Sequence, residues 1–88
     1  MPLNVLLAVD LHDAPVRKRT LFEEQMTQQG WRKIGEVTTA YQAAINVSDE
    51  SRVVVKAKAM TRDAANKADI TDYNAVCLVS PYQVKTFI

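Results

Sequence analysis

Arg52-Val53-Val54-Val55-Lys56-Ala57-Lys58-Ala59-Met60 is the stretch on which the fold turns. Read as alternating residues it is a strand, with Arg52, Val54, Lys56 and Lys58 on one face, returning as a hairpin arm after the polar turn Val47-Ser48-Asp49-Glu50-Ser51. Read at helical spacing, the apolar residues at 53, 57, 60, 64 and 68 fall on one face, and Ser48 caps a single helix over 49–68. Three consecutive valines lose rotamer freedom in a helix, and a helix of about 20 residues would overhang a small sheet. A strand over 52–60 is therefore expected, followed by a short helix over 61–68 that packs through Ala64, Ala65 and Ala68; the single long helix stays open as the alternative.

Working upstream, Leu3-Asn4-Val5-Leu6-Leu7-Ala8-Val9 is apolar at every position but Asn4, and closes on Asp10. It reads as a core strand. Asp13 is placed to cap a helix that has Pro15 near its start, where a missing N–H costs nothing. That helix should bury Leu21, Phe22 and Met26, with Val16 one turn earlier, and Gly30 should terminate it before Trp31 re-enters the core. Residues 31–45, with Ile34, Val37, Thr38, Thr39 and Tyr41, favour a second strand bent near Gly35. Downstream, Asp69-Ile70-Thr71-Asp72 ends the second helix, residues 75–79 form the last core strand up to Pro81, and an apolar tail runs from 82 to 88.

The order β-α-β-β-α-β predicts an α+β, ferredoxin-like sandwich with two helices on one face of a four-stranded antiparallel sheet, the tail being a candidate fifth strand. All 88 residues fit one such domain. In an open sandwich the outer sheet face should alternate toward polar residues. Here both residue sets of strand one, Leu3, Val5, Leu7 and Val9 against Leu6 and Ala8, are apolar, and so are those of the last strand. A homodimer that buries the second sheet face accounts for this pattern.

Composition narrows the function classes. A net charge of +1, with 48% hydrophobic and 24% charged residues, describes an ordinary globular chain without a field that draws it to nucleic acid or lipid, so such binding must come from local patches. The lone Cys77 cannot form an internal disulfide and, among apolar neighbours, reads as a small buried residue. No stretch is long and apolar enough to cross a membrane, and the expected compartment is the cytoplasm. With Gly30 and Gly35 as the only glycines, no phosphate-cradling loop exists, and no nucleophile and base stand at a recognisable spacing.

Two constellations carry chemistry. Asp10, His12 and Asp13 converge at a strand-to-helix turn, where a hard cation such as Mg2+ finds oxygen ligands, although turn and cap roles explain the same residues. Arg17-Lys18-Arg19 sits in the first turns of a helix, where the macrodipole disfavours cations; a bound phosphate is one reason for it, a solvated face balanced by Glu23 and Glu24 another. Arg52, Lys56 and Lys58 would make a basic strip along a strand, and would disperse on a helix.

Val5-Leu6-Leu7-Ala8-Val9-Asp10-Leu11, the helix end Gln29-Gly30-Trp31 and Glu36-Val37-Thr38-Thr39-Ala40-Tyr41 together resemble the superfamily of small CRISPR-associated nucleases and virulence-associated protein D, across about the first half of the chain. The resemblance implies a ferredoxin-like homodimer, Asp10 as the metal-binding, catalytic acid contributed once by each subunit, and a tail that extends the partner's sheet. Two functions are thus expected. One is a dimeric nucleic-acid-binding protein acting as a divalent-metal-dependent endoribonuclease, with Asp10 on the metal and Arg17, Lys18, Arg19, Lys56 and Lys58 on the phosphate backbone. The other is a non-catalytic protein-interaction module, an adaptor, antitoxin or inhibitor from a phage or mobile element, that binds through an edge strand or the tail.

Overall fold

A computed structural model describes residues 3–12, 14–34, 40–47 and 49–82. Along the chain run β1 (Leu3–Leu11), α1 (Val16–Gln28), β2 (Arg32–Lys33), β3 (Ala40–Ile45), α2 (Glu50–Lys67) and β4 (Tyr73–Ser80). The strands form one sheet in the order β2-β3-β1-β4, and every neighbouring pair is antiparallel. It follows that β1 and β2 run parallel with β3 between them, while β3 and β4 run parallel with β1 between them. The fold is α+β, with an open four-stranded sheet and two helices.

Alternation along β1 decides where the core lies. Val5, Leu7 and Val9 are buried, with Tyr41 and Ile45 of β3, beneath Phe22 and Met26 of α1 and Val53, Ala57, Ala64 and Ala65 of α2. Both helices thus cover one sheet face, and Asn4, Leu6, Ala8 and Asp10 project from the other. Phe22 meets Tyr41 edge to face, with ring centroids 6.2 Å apart, and Gln29 Nε2 donates to Met60 O at 2.9 Å to tie the two helices. Gly30, at φ 97°, reverses the chain after α1 in the left-handed region where a side chain is strained, and Trp31 follows directly into the core.

Residues 52–60 are helical, not a strand. They lie inside the 18-residue α2, whose N-cap is Asp49: its side chain accepts from Ser51 N–H at 2.9 Å. The expected cap, Ser48, lies outside the described residues. The valine run is accommodated because only Val53 faces the core; Val54 is half-buried and Val55 is 67% exposed. The small side chains of Ala57, Ala64 and Ala65 are fully buried on the core face of α2, where alanine loses no rotamer freedom.

Strand two is corrected as well. Residues 31–45 are not one bent strand, because Arg32 and Lys33 pair back on Gln42 and Tyr41 as a short hairpin whose connection, 35–39 with Gly35, lies outside the described residues. Helix α1 begins at Val16 with Pro15 in the N-cap position and no side-chain cap; Asp13 lies outside the described residues. Phe22 and Met26 are buried as expected, but Val16 is 79% and Leu21 39% exposed, since α1 shares its sheet face with a second, longer helix and buries only a narrow stripe. The strand expected in the core, β4, is the edge of the sheet, and Cys77 on it is exposed. No helix among the described residues is long and apolar enough to cross a membrane.

Candidate functional site

Asp10 stands near the C-terminal end of β1, opposite Asn74 of β4, on the face away from the helices. Its Oδ2 lies 3.7 Å from His12 Nδ1, and His12 Nε2 lies 2.8 Å from Asn74 Nδ2. An amide nitrogen can only donate, so Asn74 donates to His12 Nε2, while Asp10 lies beyond hydrogen-bond distance of the ring. The Asp10 side chain is 72% exposed, so its attraction to His12 is largely screened by water.

Mg2+ binds through one or two carboxylates and keeps several waters. Asp10 supplies one carboxylate, and the described residues contain no group of three or more His, Cys, Asp or Glu that could hold a metal ion. Asp13 lies outside the described residues. A metal held here would need further oxygen ligands, as a second copy of Asp10 would provide.

The basic run is divided by its contacts. Lys18 Nζ donates to Asp69 O at 2.9 Å and pairs with Asp69 Oδ2 at 3.3 Å, holding the residue that takes the left-handed φ of 57° at the end of α2. Arg19 Nε donates to Ala14 O at 2.9 Å, and its guanidinium reaches Leu11 O at 3.5 Å, so it stitches the β1–α1 connection. Those two cations have an internal reason to sit at a helix N-terminus. Arg17 is exposed and makes no ion pair among the described residues. The run lies on the helix side of the sheet and the Asp10 side chain on the other, with Arg19 reaching the carbonyl of Leu11, the residue that follows Asp10. On α2, Lys56 and Lys58 are exposed and point about 200° apart around the axis, which disperses the basic strip.

The feature that sequence reasoning missed is the setting of β4. Val76 is 72% and Leu78 65% exposed, on the open face beside Leu6 and Ala8. On the helix face, Ala75 and Cys77 are exposed too. There β4 and α2 flank a groove with Leu7, Ala57, Ala75 and Cys77 along its floor and Lys58 and Arg62, one helical turn apart, on its lip. Neither cation is in an ion pair among the described residues.

The ladder fixes which backbone groups β4 turns outward. His12 N–H donates to Asp72 O at 3.2 Å, in the same register that pairs Leu11 with Tyr73 and Asp10 with Asn74. Antiparallel pairs alternate between bonded and non-bonded, so Asn74, Val76, Leu78 and Ser80 bond β1, while Tyr73, Ala75, Cys77 and Val79 direct N–H and C=O to the sheet edge. A signal for this was present in Tyr73-Asn74-Ala75-Val76-Cys77-Leu78-Val79-Ser80: no charge at all. A strand buried on both faces and an unprotected edge share that signature.

No protein-family model matches this chain, and neither curated proteins nor solved structures give a match.

Proposed function

We propose that this chain is a protein-interaction module with the ferredoxin-like βαββαβ plan, and that β4 is the element it offers to a partner. The supporting observation is an eight-residue edge strand with neither charge nor proline, whose middle residues Ala75 and Cys77 on one face and Val76 and Leu78 on the other are apolar and exposed. Natural sheets blunt their edges with charge, proline or bulges; an edge left apolar and uncharged is a template on which another strand can pair. The test compares the wild-type chain with Val76→Lys/Leu78→Lys and with Cys77→Pro as immobilised bait. The module reading expects partners that the parent retains and both variants lose at unchanged melting temperature. Loss on substitution of Asp10 or Arg17 instead, with the β4 variants behaving as wild type, would refute it.

A second reading, the dimeric, Mg2+-assisted nuclease or nucleic-acid-binding protein, is supported by the position of Asp10. It shares the open face with Leu6, Ala8, Val76 and Leu78, so two copies joined through that face would bring two Asp10 carboxylates onto a common surface. Bound Mg2+ would supply a Lewis acid for the phosphate. Arg17, Lys56 and Lys58 make no ion pair among the described residues and are the cations open to a phosphate backbone that passes to the helix side of the sheet; Lys18 and Arg19 are engaged within the fold. RNA cleavage that requires magnesium and disappears in Asp10→Asn, together with a Mg2+-dependent rise in melting temperature lost in the same variant, is the expected result. Magnesium-independent behaviour in both assays removes this reading.

A further inference from the structure

Resting on the reading of β4 as the binding element, we infer that the groove between β4 and α2 takes an extended acidic peptide, added as a fifth strand, with acidic and apolar residues at alternate positions. Three observations define this ligand. The outward N–H and C=O groups of Ala75 and Cys77 supply the ladder, so an incoming segment docks as a strand. Peptide residues directly opposite Ala75 and Cys77 turn their side chains to the same sheet face, over the groove and toward Lys58 and Arg62. Two exposed cations without an internal partner among the described residues select Asp or Glu there. The intervening side chains fall on the open face beside Val76 and Leu78 and are selected as apolar.

A second copy of this chain is a poorer occupant of the same edge. Symmetric antiparallel pairing of two β4 strands requires a two-fold axis normal to the sheet, which sets all four helices on one side. Each groove would then meet an uncharged strand, and the Lys58 and Arg62 pairs would face each other across the axis with no acid to neutralise them.

The experiment uses the full chain and two labelled eight-residue peptides, one alternating Glu and Val, the other Lys and Val, read by fluorescence anisotropy and by amide hydrogen exchange. The Glu peptide is expected to bind and to slow exchange at Ala75 and Cys77, and the Lys peptide to bind about tenfold more weakly or not at all. Lys58→Glu/Arg62→Glu should invert that preference. Cys77→Pro should abolish both; the Cys77 N–H points away from β1, so proline there removes no internal ladder bond. Should the proline variant fail to fold, a Glu peptide N-methylated on the residue facing β4 replaces it and must not bind. Equal binding of the two peptides, lost with Cys77→Pro, overturns the acidic selection alone. Binding that survives Cys77→Pro or N-methylation overturns the β4 reading itself. A dimer that protects the Ala75 and Cys77 amides and excludes the Glu peptide assigns the edge to a second copy and overturns the proposal.

Discussion

Asp49 is the side chain that starts α2, accepting from Ser51 N–H at 2.9 Å, with Glu50 beside it in the first turn. Removing an N-cap carboxylate strands one helix donor, so Asp49→Ala should cost about 1 kcal/mol and lower the melting temperature by about 4–8 °C in calorimetry. Tyr41 gives a second readout. Its hydroxyl is pushed from 10.0 up to about 12, chiefly by burial and then by the Glu23 carboxylate. The unfolded chain therefore releases this proton first, above pH 10, while the folded chain keeps it. Stability from this group is complete well below pH 10 and falls by at most about 1.4 kcal/mol per pH unit as pH rises toward 12. Urea midpoints from pH 8 to 11.5 should show this decline, and Tyr41→Phe should flatten it. At this scale the sequence was most legible where a residue has one dominant property. Phe22, Met26 and Trp31 are core because they are large and apolar at a helix stripe or just past a glycine stop. The contacts of Lys18 and Arg19 were illegible, because their acceptors, the carbonyl and carboxylate of Asp69 and the carbonyls of Ala14 and Leu11, come within reach only once the chain has folded.

Helix α2 is the element on which a period-2 and a period-3.6 reading of one stretch compete. In a strand Val53 and Val55 would share a face; in the helix they are about 200° apart, with Val53 fully buried and Val55 67% exposed. Val53→Ala should therefore cost about 2 kcal/mol in chemical denaturation, and Val55→Ala should change stability by less than about 0.5 kcal/mol. Equal effects at the two positions would restore the strand. Local propensity favoured the strand because it counts the valines and not what faces them. What decided for the helix was distributed: alanine at 57, 64 and 65, which puts small buried residues on the core face of an 18-residue helix, and an aspartate cap one residue from the expected serine. The hairpin of β2 and β3 was hidden for a related reason. A run of aromatic and β-branched residues signals extended backbone but does not say where it folds back on itself.

At the scale of the molecule, the sequence pattern of a strand apolar on both sides is compatible with a centre and with an edge, and this sheet contains one of each. For β1 the pattern means burial under the helices on one face and a half-buried Leu6 on the other; for β4 it means exposure on both faces, with nothing but β1 beside it among the described strands. The site was legible as residues and not as a place: Asp10 was visible as an acid closing a strand, but the face it projects from depends on which side the helices cover. That face now makes a separable prediction about self-association. If two copies meet through the open face, the chain should sediment at about twice its 9.9 kDa at tens of micromolar, and Val76→Lys/Leu78→Lys should return it to a monomer. Because both side chains are mostly exposed in the single chain, that substitution should shift the folding free energy by no more than about 0.5 kcal/mol. The position of proline then distinguishes the surfaces. Cys77→Pro removes an outward N–H at the edge and leaves the open face intact, so a face-to-face dimer persists in it, whereas an edge-to-edge dimer dissociates. A parent chain that stays monomeric throughout this range leaves the twinned Asp10 without support and the β4 edge as the surface to pursue.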